Sequence, residues 1–349
     1  MTLGEFLIEW HNDSPYVKVQ TSGSTGTPKP MFVEKRRMLA SARRTNDFLG
    51  LQKGDTALLC MSLDYIAGKM MVVRAIERDL ELISVEPSGH PLAMIQGDGS
   101  FVTSASDVTK EPSPCYTFAA MVPMQVYNSL RIPEERERLK QIKHLIIGGG
   151  AIDERLAEEL REFPNNVWST YGMTETLSHI ALRRLSGPEA SEWYTPFPSV
   201  EVGINDEGCL VIDAPEVCAE RLVTNDIAVI QKGSSPSVAF RILGRKDNVI
   251  CSGGMKIQIE EVERLLRSHI RVPYLISKRP DKKFGEVVVL LTKGDVVDAQ
   301  MVCEAVLPKY QRPKAYVHVS EIPLTETGKP ARRQAEELAK FHLPHQPIQ

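Results

Sequence analysis

Residues 21–29 read TSGSTGTPK, and this stretch decides the fold that we expect for the chain. Its hydroxyl side chains and its two glycines bring O–H and backbone N–H donors close together, which suits an anion, and Lys29 adds a positive charge. The preceding residues 16–19 have the pattern of a strand, and residues 35–49 have that of a helix that Gly50 can end. A strand, an anion-binding loop and a helix in this order predict an α/β fold.

The rest of the chain continues to alternate between short apolar runs and amphipathic stretches. Residues 144–147 have the pattern of a buried strand that leads into three glycines. Residues 153–163 carry apolar side chains at helical spacing, with Asp153 as a suitable N-cap. Beyond residue 243 the pattern predicts helices at 259–270, 296–307 and 332–341 and strands at 286–291 and 316–319.

This change of pattern predicts two domains. We expect a larger α/β domain over residues 1–243, a hinge at residues 244–247 and a small α+β domain over residues 248–349. A length of 349 residues is ample for two hydrophobic cores.

The composition excludes several classes of protein. A net charge of −3 and a pI near 6.3 indicate no overall attraction to nucleic acid or to an anionic membrane. Basic pairs such as Arg43-Arg44 are expected on solvated faces. The six cysteines form no C-x-x-C pair, which argues against a zinc site or a disulfide framework. With no signal-peptide pattern and no apolar run of roughly 18 residues, a cytoplasmic protein is expected.

Two common nucleotide-binding patterns do not fit this sequence. Lys29 is followed by Pro30, so the spacing G-x-x-x-x-G-K-[ST] of a Walker A loop is absent. Residues 148–153 do not satisfy the dinucleotide-binding pattern G-x-G-x-x-G. The anion site at residues 21–29 is therefore of another kind.

Residues 21–29 resemble the phosphate-binding signature of the adenylate-forming superfamily, which contains acyl- and aryl-CoA synthetases, peptide-synthetase adenylation domains and beetle luciferases. Further segments resemble that family's motifs in the same order: the glycine turn at 148–151, STYGMTET at 169–176, TND at 224–226, GRKD at 244–247, SGGMK at 252–256 and PLTETGK at 323–329. The resemblance extends over about residues 14–335, and coincidence on that scale is not credible.

The resemblance implies which residues bind ATP. Tyr171 offers an aromatic face to adenine, Asp226 and Arg245 would hold the ribose, and Glu175 is a hard oxygen ligand for Mg²⁺. The complete implied set for ATP or AMP is Thr21, Ser22, Gly23, Ser24, Gly26, Thr27, Lys29, Gly148, Gly149, Gly150, Ser169, Thr170, Tyr171, Gly172, Met173, Thr174, Asp226 and Arg245.

The resemblance also implies a catalytic group consisting of Lys329, Thr25 and Glu175. A charged lysine on a glycine turn can stabilise the charge that develops between the substrate carboxylate and the α-phosphate. The carboxylate itself attacks the α-phosphorus, so no nucleophilic side chain is required.

A second half-reaction is implied for the same small domain. The family resemblance implies that the domain rotates about Asp247, withdraws Lys329 and presents Ser252, Gly253 and Gly254 to an incoming thiol. Coenzyme A is the expected thiol.

The acid-binding segment is predicted at residues 61–68, where Tyr65 replaces the histidine or other aromatic residue that is usual in the family. A cation on the following predicted helix would suit an acid with a second carboxylate, although Lys69 is by default expected to face solvent. His179 is either a substrate contact or structural. The implied acid pocket consists of Tyr65, Gly68, Lys69, Arg74, Met121, Pro123 and His179.

Residues 170–181 most resemble the o-succinylbenzoate–CoA ligases of menaquinone biosynthesis, whose acid carries two carboxylates. The sequence departs from the superfamily in length, because its phosphate loop begins at residue 21, whereas in the family a long N-terminal subdomain precedes this loop. Either a homodimer partner or local repacking would then have to cover the exposed sheet or the pocket wall.

Three functions stay open on this reasoning. The first is a ligase that joins o-succinylbenzoate, or another aromatic or keto-dicarboxylic acid, to coenzyme A. The second is an aryl-acid adenylating enzyme that loads the thiol of a carrier protein. The third is a catalytically idle paralogue that binds nucleotide or a partner.

Overall fold

The computed structural model describes residues 1–20, 30–93, 101–102, 116–152, 154–232, 238–325 and 329–341. In these ranges the strands are β1 (Tyr16–Gln20), β2 (Pro30–Glu34), β3 (Thr56–Leu59), β4 (Glu81–Ser84), β5 (Phe101–Val102), β6 (Phe118–Met121), β7 (His144–Ile147), β8 (Asn166–Gly172), β9 (His179–Arg184), β10 (Thr195–Pro196), β11 (Glu201–Ile204), β12 (Cys209–Asp213), β13 (Leu222–Lys232), β14 (Val238–Arg245), β15 (Val249–Ser252), β16 (Met255–Gln258), β17 (Tyr274–Asp281), β18 (Gly285–Thr292) and β19 (Ala315–His318).

The helices in the same ranges are α1 (Leu3–His11), α2 (Lys35–Leu49), α3 (Ile66–Arg78), α4 (Pro123–Ser129), α5 (Pro133–Gln141), α6 (Glu154–Arg161), α7 (Ile259–Leu266), α8 (Val296–Val306) and α9 (Arg332–Phe341). Short 3₁₀ turns occupy Thr174–Thr176 and Lys246–Asn248. No described helix is both long enough and apolar enough to cross a membrane.

The largest sheet has the strand order β10-β9-β8-β7-β6-β3-β4-β5. Its neighbours β8, β7, β6, β3 and β4 are parallel, and parallel neighbours need crossover connections, which α3, α4 with α5, and α6 provide. The strand order reverses between β3 and β6. In open α/β sheets, ligands bind outside the carboxyl ends of the strands at such a reversal.

The core of this sheet is apolar on both faces, as a parallel sheet requires. Leu58 and Ile83 from the sheet pack with Leu139 of α5 and with Leu156 and Leu160 of α6, and each is 3% exposed or less. The sheet therefore forms a fixed base for the loops at its edge.

The chain divides into two compact units by its contacts. Unit 1 comprises Met1–Val202, Ile212–Leu222 and Ile230–Arg241, and unit 2 comprises Gly203–Val211, Val223–Val229 and Ile242–Gln349. The strands β11, β12, β13 and β14 form a sheet in that order. The predicted division into 1–243, a hinge at 244–247 and 248–349 remains a prediction.

A mixed five-stranded sheet organises unit 2. Strand β18 pairs with β17 and β15 in antiparallel fashion and with β19 in parallel fashion. Val288 and Leu290 lie in one apolar cluster with residues of α7 and α8, whereas Val289 and Leu291 lie in another with residues of α9. Successive side chains of a strand point to opposite faces, so the uninterrupted apolar run of β18 serves two cores.

The predicted elements largely match the structure. The helix at 35–49 is found with the expected bounds, and Gly50 ends it with φ of 64°, which glycine adopts at little cost. The strand at 144–147 and the helix at 332–341 also have the predicted bounds. The helix predicted at 259–270 ends earlier, at Leu266. The proposed N-cap Asp153 lies outside the described residues.

His144, the first residue of β7, makes the stability of the protein depend on pH. Burial lowers the pKa of its imidazole to about 4, and the charges of Lys143 and Arg184 act in the same direction. An unfolded histidine takes up its proton near pH 6.5, so the native state is penalised as the pH falls from about 6.5 toward 4. We expect a loss of about 2–3 kcal/mol between pH 7 and pH 4.5.

Urea unfolding at these two pH values measures the loss. His144→Phe should remove most of it, whereas a substitution at the exposed His269 should not. If the free energy of unfolding of His144→Phe falls between pH 7 and pH 4.5 as much as that of the wild type, groups other than His144 cause the loss.

Candidate functional site

The segment predicted to bind phosphate, residues 21–29, follows one strand in the sequence and precedes the next. β1 and β2 form an antiparallel hairpin in which Gln20 pairs with Pro30, so residues 21–29 connect the hairpin strands. The predicted site residues Thr21, Ser22, Gly23, Ser24, Thr25, Gly26, Thr27 and Lys29 lie outside the described residues. The strand that leads into them is anchored from α1, because the Lys18 backbone N–H donates to Glu9 Oε1 at 3.0 Å.

The glycine turn after β7 requires glycine for steric reasons. A Cβ atom on Gly148 would lie 2.4 Å from Thr170 Oγ1, and Gly149 has a φ of +79°, which side-chain-bearing residues rarely adopt. Thr170 Oγ1 itself donates to the Ile147 carbonyl at 3.3 Å. The turn therefore packs directly on β8, so that Gly148 and Thr170, two residues of the implied nucleotide set, are in contact.

Met121 and Pro123 lie beside the same turn, at the carboxyl end of β6. The Gly148 N–H donates to the Met121 carbonyl at 3.0 Å, and a Cβ on Gly150 would lie 3.4 Å from Pro123 Cγ. Two implied acid-pocket residues and the implied adenine turn thus share one edge of the large sheet, next to the reversal of strand order.

Tyr171 belongs to an aromatic cluster that the sequence did not reveal. Its ring is 5.1 Å from the ring of Phe240 in an edge-to-face arrangement, and Tyr194 stacks on Phe240 at 5.6 Å. The Tyr194 hydroxyl is also 2.8 Å from Ser169 Oγ. Tyr171 itself is half-buried, and its ring is supported by these aromatic neighbours.

Glu175 lies on the 3₁₀ turn Thr174–Thr176 and is exposed. The turn is held by the Met173 N–H, which donates to Thr176 Oγ1 at 3.0 Å, and it ends at the buried Leu177 with a φ of 65°. A leucine in the left-handed region is a strained backbone position of the kind found at functional sites. Gly172 is also sterically required, because a Cβ there would lie 2.3 Å from the Ser178 carbonyl oxygen.

The donors at this turn fit a magnesium ion that arrives with a nucleotide. No group of three or more metal-binding side chains occurs among the described residues, and no described residue is recorded as donating to the Glu175 carboxylate. A magnesium ion bound to nucleotide phosphates commonly takes only one or two protein carboxylates. Glu175 is suited to that role.

A second group of predicted site residues meets in unit 2. Arg245 donates from Nη1 to Asp226 Oδ1 at 3.3 Å and from Nη2 to Asp247 Oδ2 at 3.0 Å. Asn225 Nδ2 donates to the same Asp247 oxygen at 3.1 Å. Asn225 of the TND motif is therefore a direct partner of Asp247, the proposed pivot.

Lys329 lies close to this group. Burial lowers the pKa of its ammonium group, as does the positive charge of Arg245, while the Asp226 carboxylate acts in the opposite direction. Lys329 is hydrogen-bonded to Thr325, whose N–H donates to the Lys329 carbonyl at 2.7 Å and whose Oγ1 accepts from the Lys329 N–H at 3.1 Å. Residues from three separate motifs thus lie in one region of unit 2.

The segment Ser252, Gly253 and Gly254 contains a tight hairpin turn. Strands β15 and β16 are connected by Gly253 and Gly254, with φ values of 57° and 85°. Two successive positive φ angles favour a glycine pair. A Cβ on Gly253 would also lie 3.2 Å from the ring of Phe284. The glycine pair is explained by the turn itself, and its proposed role toward coenzyme A stays a prediction.

Tyr65 and Gly68 lie at the start of α3, and Gly68 packs against backbone. Tyr65 is the N-cap residue of the helix, and a Cβ on Gly68 would lie 2.3 Å from the Ser62 carbonyl oxygen. We expect Gly68→Ala to destabilise the fold by about 1–3 kcal/mol through overpacking. Gly4→Ala in α1 is a matched control, because nothing lies within 4 Å of the added methyl group.

Chemical denaturation of both variants measures the difference. If Gly68→Ala and Gly4→Ala have the same free energy of unfolding, the methyl group added at Gly68 does not clash with the Ser62 carbonyl oxygen, and the prediction is wrong.

Lys69 and Arg74 are both buried on α3, at 3% and 2% exposure. The expectation that Lys69 faces solvent is therefore wrong. Five positions along an α-helix correspond to a rotation of about 140°, so the two cations point in different directions. Lys69 Nζ donates to the Lys18 carbonyl at 2.6 Å, pairs with Glu9 at 3.3 Å and lies 5.3 Å from the centroid of the Phe6 ring.

Lys69 lines a cavity of about 390 Å³ that is formed by α1, β1 and the segment before α3. The Lys69 ammonium already forms an ion pair with Glu9 in this cavity. Helix α1 buries Phe6 and Trp10 against the rest of unit 1. The helix therefore covers the face of α3 on which Lys69 lies. A homodimer remains a prediction.

Arg74 has no carboxylate partner among the residues that the structure describes. Its Nη2 donates to Ser178 Oγ at 2.6 Å and its Nη1 lies 3.7 Å from Met71 Sδ, while Nε has no partner there. Burial lowers the pKa of this guanidinium to about 10, which still leaves it charged at neutral pH. A buried, unneutralised cation is costly, and it lies next to the turn that carries Glu175.

His179 lies close to Arg74 through Ser178. Its Nδ1 is 3.3 Å from Ser178 Oγ, and its Nε2 is 3.1 Å from Thr45 Oγ1. Both ring nitrogens therefore have protein partners. Of the two interpretations of His179 that the sequence left open, the contacts favour the structural one.

The sequence also gave no sign of Thr45 or Ser178, and its prediction of a solvated Arg43-Arg44 pair is wrong for Arg44. Arg43 is exposed, as predicted, but the Arg44 side chain is only 8% exposed and is paired with Glu216. Helix α2 buries Ser41, Ala42 and Thr45. Its helical periodicity was the sequence signal that Arg43 and Arg44 point toward different faces of the helix.

Similarity to known proteins agrees with this arrangement. A family model described as "AMP-binding enzyme" matches residues 7–217. The 2-succinylbenzoate–CoA ligase of Bacillus cereus is 25% identical over 92% of this chain and 70% of the ligase.

Solved structures show the same relationship. An acyl-CoA synthetase (AMP-forming)/AMP-acid ligase II-like protein from Dyadobacter fermentans is 31% identical with a TM-score of 0.61, over 95% of this chain and 91% of that protein. An o-succinylbenzoate CoA synthetase from Bacillus subtilis, in complex with its acyl-adenylate intermediate, is 22% identical with a TM-score of 0.71, over 94% of this chain and 69% of that one. Since the family model covers more than half of the sequence and the Dyadobacter protein matches over almost its whole length, this chain belongs to the AMP-binding, adenylate-forming family of acid–CoA ligases.

Proposed function

We propose that this protein is an ATP-dependent ligase that converts an acid with two carboxylates, o-succinylbenzoate, into its coenzyme A thioester through an acyl-adenylate. The family supplies the reaction type. The observation that carries the choice of acid is Arg74, a buried guanidinium without a carboxylate partner in the described part of the chain. An acid whose second carboxylate reached Arg74 would neutralise this charge with strong, charge-assisted hydrogen bonds.

In the first half-reaction a carboxylate oxygen of the acid attacks the α-phosphorus of ATP. A new P–O bond forms, the bond between the α- and β-phosphates breaks, and pyrophosphate leaves. Lys329 would stabilise the charge on the α-phosphate oxygens. Asp226 and Arg245, which are paired at 3.3 Å, would hold the ribose, and the supported ring of Tyr171 would stack on adenine. Glu175 would hold a Mg²⁺ ion, which when bound would offset the negative charge of the phosphates.

In the second half-reaction the thiol attacks the acyl carbonyl carbon and AMP leaves as the C–O bond breaks. We propose that rotation about Asp247 removes Lys329 and brings the hairpin turn at Gly253 and Gly254 to the thiol. Asp247 is bonded by Arg245 and Asn225 in the present conformation. These contacts would have to break and re-form during each catalytic cycle.

Asp247→Pro tests this pivot, because proline fixes φ near −65°. We expect thioester formation from a supplied adenylate to slow at least about tenfold, while adenylate formation changes much less. Asp247→Ala is the matched control, since it removes the same carboxylate contacts and leaves φ free. Single-turnover measurements of each half-reaction separate the two effects. Equal rates for both variants in the second half-reaction would contradict the pivot.

Acid-dependent release of pyrophosphate, measured with and without coenzyme A, tests the function as a whole. We expect o-succinylbenzoate to support release and coenzyme A to yield a thioester. Adenylate formation without use of coenzyme A would favour the alternative enzyme that loads a carrier protein. Nucleotide binding without pyrophosphate release, across a panel of aromatic and keto-dicarboxylic acids, would favour the idle paralogue.

A further inference from the structure

A chain of polar groups runs from Arg74 on α3 to the backbone of α2. Arg74 Nη2 donates to Ser178 Oγ at 2.6 Å, and Ser178 Oγ lies 3.3 Å from His179 Nδ1. On the other side of the ring, His179 Nε2 lies 3.1 Å from Thr45 Oγ1, which donates to the Ser41 carbonyl oxygen at 3.2 Å. Except for the half-buried Ser178, all of these residues are buried, so the chain is largely shielded from solvent.

The direction of each hydrogen bond follows from counting protons. A hydroxyl group has a single proton to donate, and Thr45 uses it on the Ser41 carbonyl. Thr45 Oγ1 must then accept the hydrogen of His179 Nε2. His179 Nδ1 consequently accepts from the Ser178 hydroxyl, whose oxygen accepts from Arg74. With His179 neutral and its hydrogen on Nε2, each of the four hydrogen bonds in the chain has one donor and one acceptor.

The surrounding charges keep His179 in this neutral form. Burial lowers its pKa well below the usual range, and the positive charges of Arg74 and Arg44 act in the same direction. Arg44 lies 5.5 Å from the centroid of the Phe197 ring and is paired with Glu216, while the His179 ring lies 5.6 Å from the same Phe197 ring. A protonated His179 would be a third cation in this buried region.

We propose that Thr45, His179 and Ser178 form a positioning relay that holds the Arg74 guanidinium in one orientation for the second carboxylate of the acid. This inference rests on the proposed function of Arg74. His179 need not touch the substrate, because both of its ring nitrogens are used within the relay. With Nη2 directed to Ser178, Nε is the Arg74 nitrogen without a protein partner in the described structure, and we assign it to the carboxylate of the acid. An oriented guanidinium loses less conformational freedom when it binds a carboxylate.

Substitution of Thr45 tests the relay without altering any group proposed to contact the acid. Thr45→Val keeps the shape of the side chain and removes the acceptor, and Thr45→Ser restores it. The probes are o-succinylbenzoate and 4-oxo-4-phenylbutanoate, which lacks the ring carboxylate. We expect Thr45→Val to raise KM for o-succinylbenzoate about five- to tenfold, the usual cost of one hydrogen bond. KM for ATP and for the monocarboxylate should stay unchanged, and Thr45→Ser should reverse the effect.

Nitrogen NMR of ¹⁵N-histidine-labelled protein provides a readout that loss of packing alone would not produce. The His179 signals, assigned by their absence in His179→Asn, should show the neutral Nε2–H tautomer from pH 8 to pH 5.5. In Thr45→Val the population should shift toward the Nδ1–H tautomer. A wild-type His179 that titrates near pH 6.5 or carries its proton on Nδ1 would overturn the relay.

The outcomes separate the relay from the proposed function. An active enzyme in which Thr45→Val affects both acids equally overturns the relay and leaves the function standing. An enzyme that releases no pyrophosphate with o-succinylbenzoate overturns the proposed acid, and with it the purpose assigned to the relay, whatever tautomer the NMR spectra show.

Discussion

Lys329→Ala should lower the rate of acyl-adenylate formation by about 10²–10³-fold, the usual cost of losing one preorganised electrostatic contact to a transition state. Transfer of the acyl group from a supplied adenylate to coenzyme A should remain largely intact. The reason is that the α-phosphate carries developing charge only while the adenylate forms. Lys329 is hydrogen-bonded to Thr325 and lies close to Asp226 and Arg245, the residues proposed to bind the ribose of the same nucleotide.

Two variants sharpen this test. Lys329→Arg keeps the charge, so it should retain more adenylation activity than the alanine variant. Lys340→Ala removes an exposed lysine of α9 that is paired with Glu337 and should leave both half-reactions unchanged. Pyrophosphate release and single-turnover thioester formation measure the two steps. An equal loss in both half-reactions would remove Lys329 from its proposed role.

Arg74→Met should lower kcat/KM for o-succinylbenzoate by about one to two orders of magnitude, because a charge-assisted contact is worth about 1.5–3 kcal/mol. Methionine occupies much of the same buried volume without a charge. The monocarboxylate 4-oxo-4-phenylbutanoate, already a poor substrate of the parent enzyme, should lose little more. The contact that the substitution removes is never formed with that acid.

Lys69→Met provides the matched control on the same helix. Lys69 is equally buried, but its ammonium is bonded to the Lys18 carbonyl and to Glu9. The ratio of kcat/KM values for the two acids should therefore stay at the wild-type level in Lys69→Met, even if the protein is less stable. An unchanged ratio in Arg74→Met would refute the basic acid pocket.

Local sequence patterns predicted much of the fold because they depend on neighbours in the chain. The helix that ends at Gly50 and the strand that begins at His144 follow from spacing, apolar pattern and glycine conformation. The order of the motifs likewise pointed to the family. The same reasoning missed strand β2, which begins at Pro30 and pairs with β1 along its whole length.

The candidate site was predicted less completely, because burial and charge pairing are long-range properties. From the sequence, Lys69 and Arg74 were two similar cations on one predicted helix. The structure distinguishes them, since Glu9, 60 residues away, neutralises the first, and Ser178, 104 residues away, contacts the second without neutralising it. The spacing of Tyr171 and Phe240 in the chain gave no indication of their ring contact.

By itself the sequence determined the family, the order of the motifs and the residue types that its chemistry requires, because those are properties of short segments. The tertiary structure alone decided which of these groups meet. It brought Lys329 close to Asp226 and Arg245, left Arg74 without a carboxylate partner in the described residues, and joined His179 to Thr45 across 134 positions. Hydrogen bonds and charge pairs act over a few ångströms, so their partners are chosen by how strands and helices pack and not by distance along the chain.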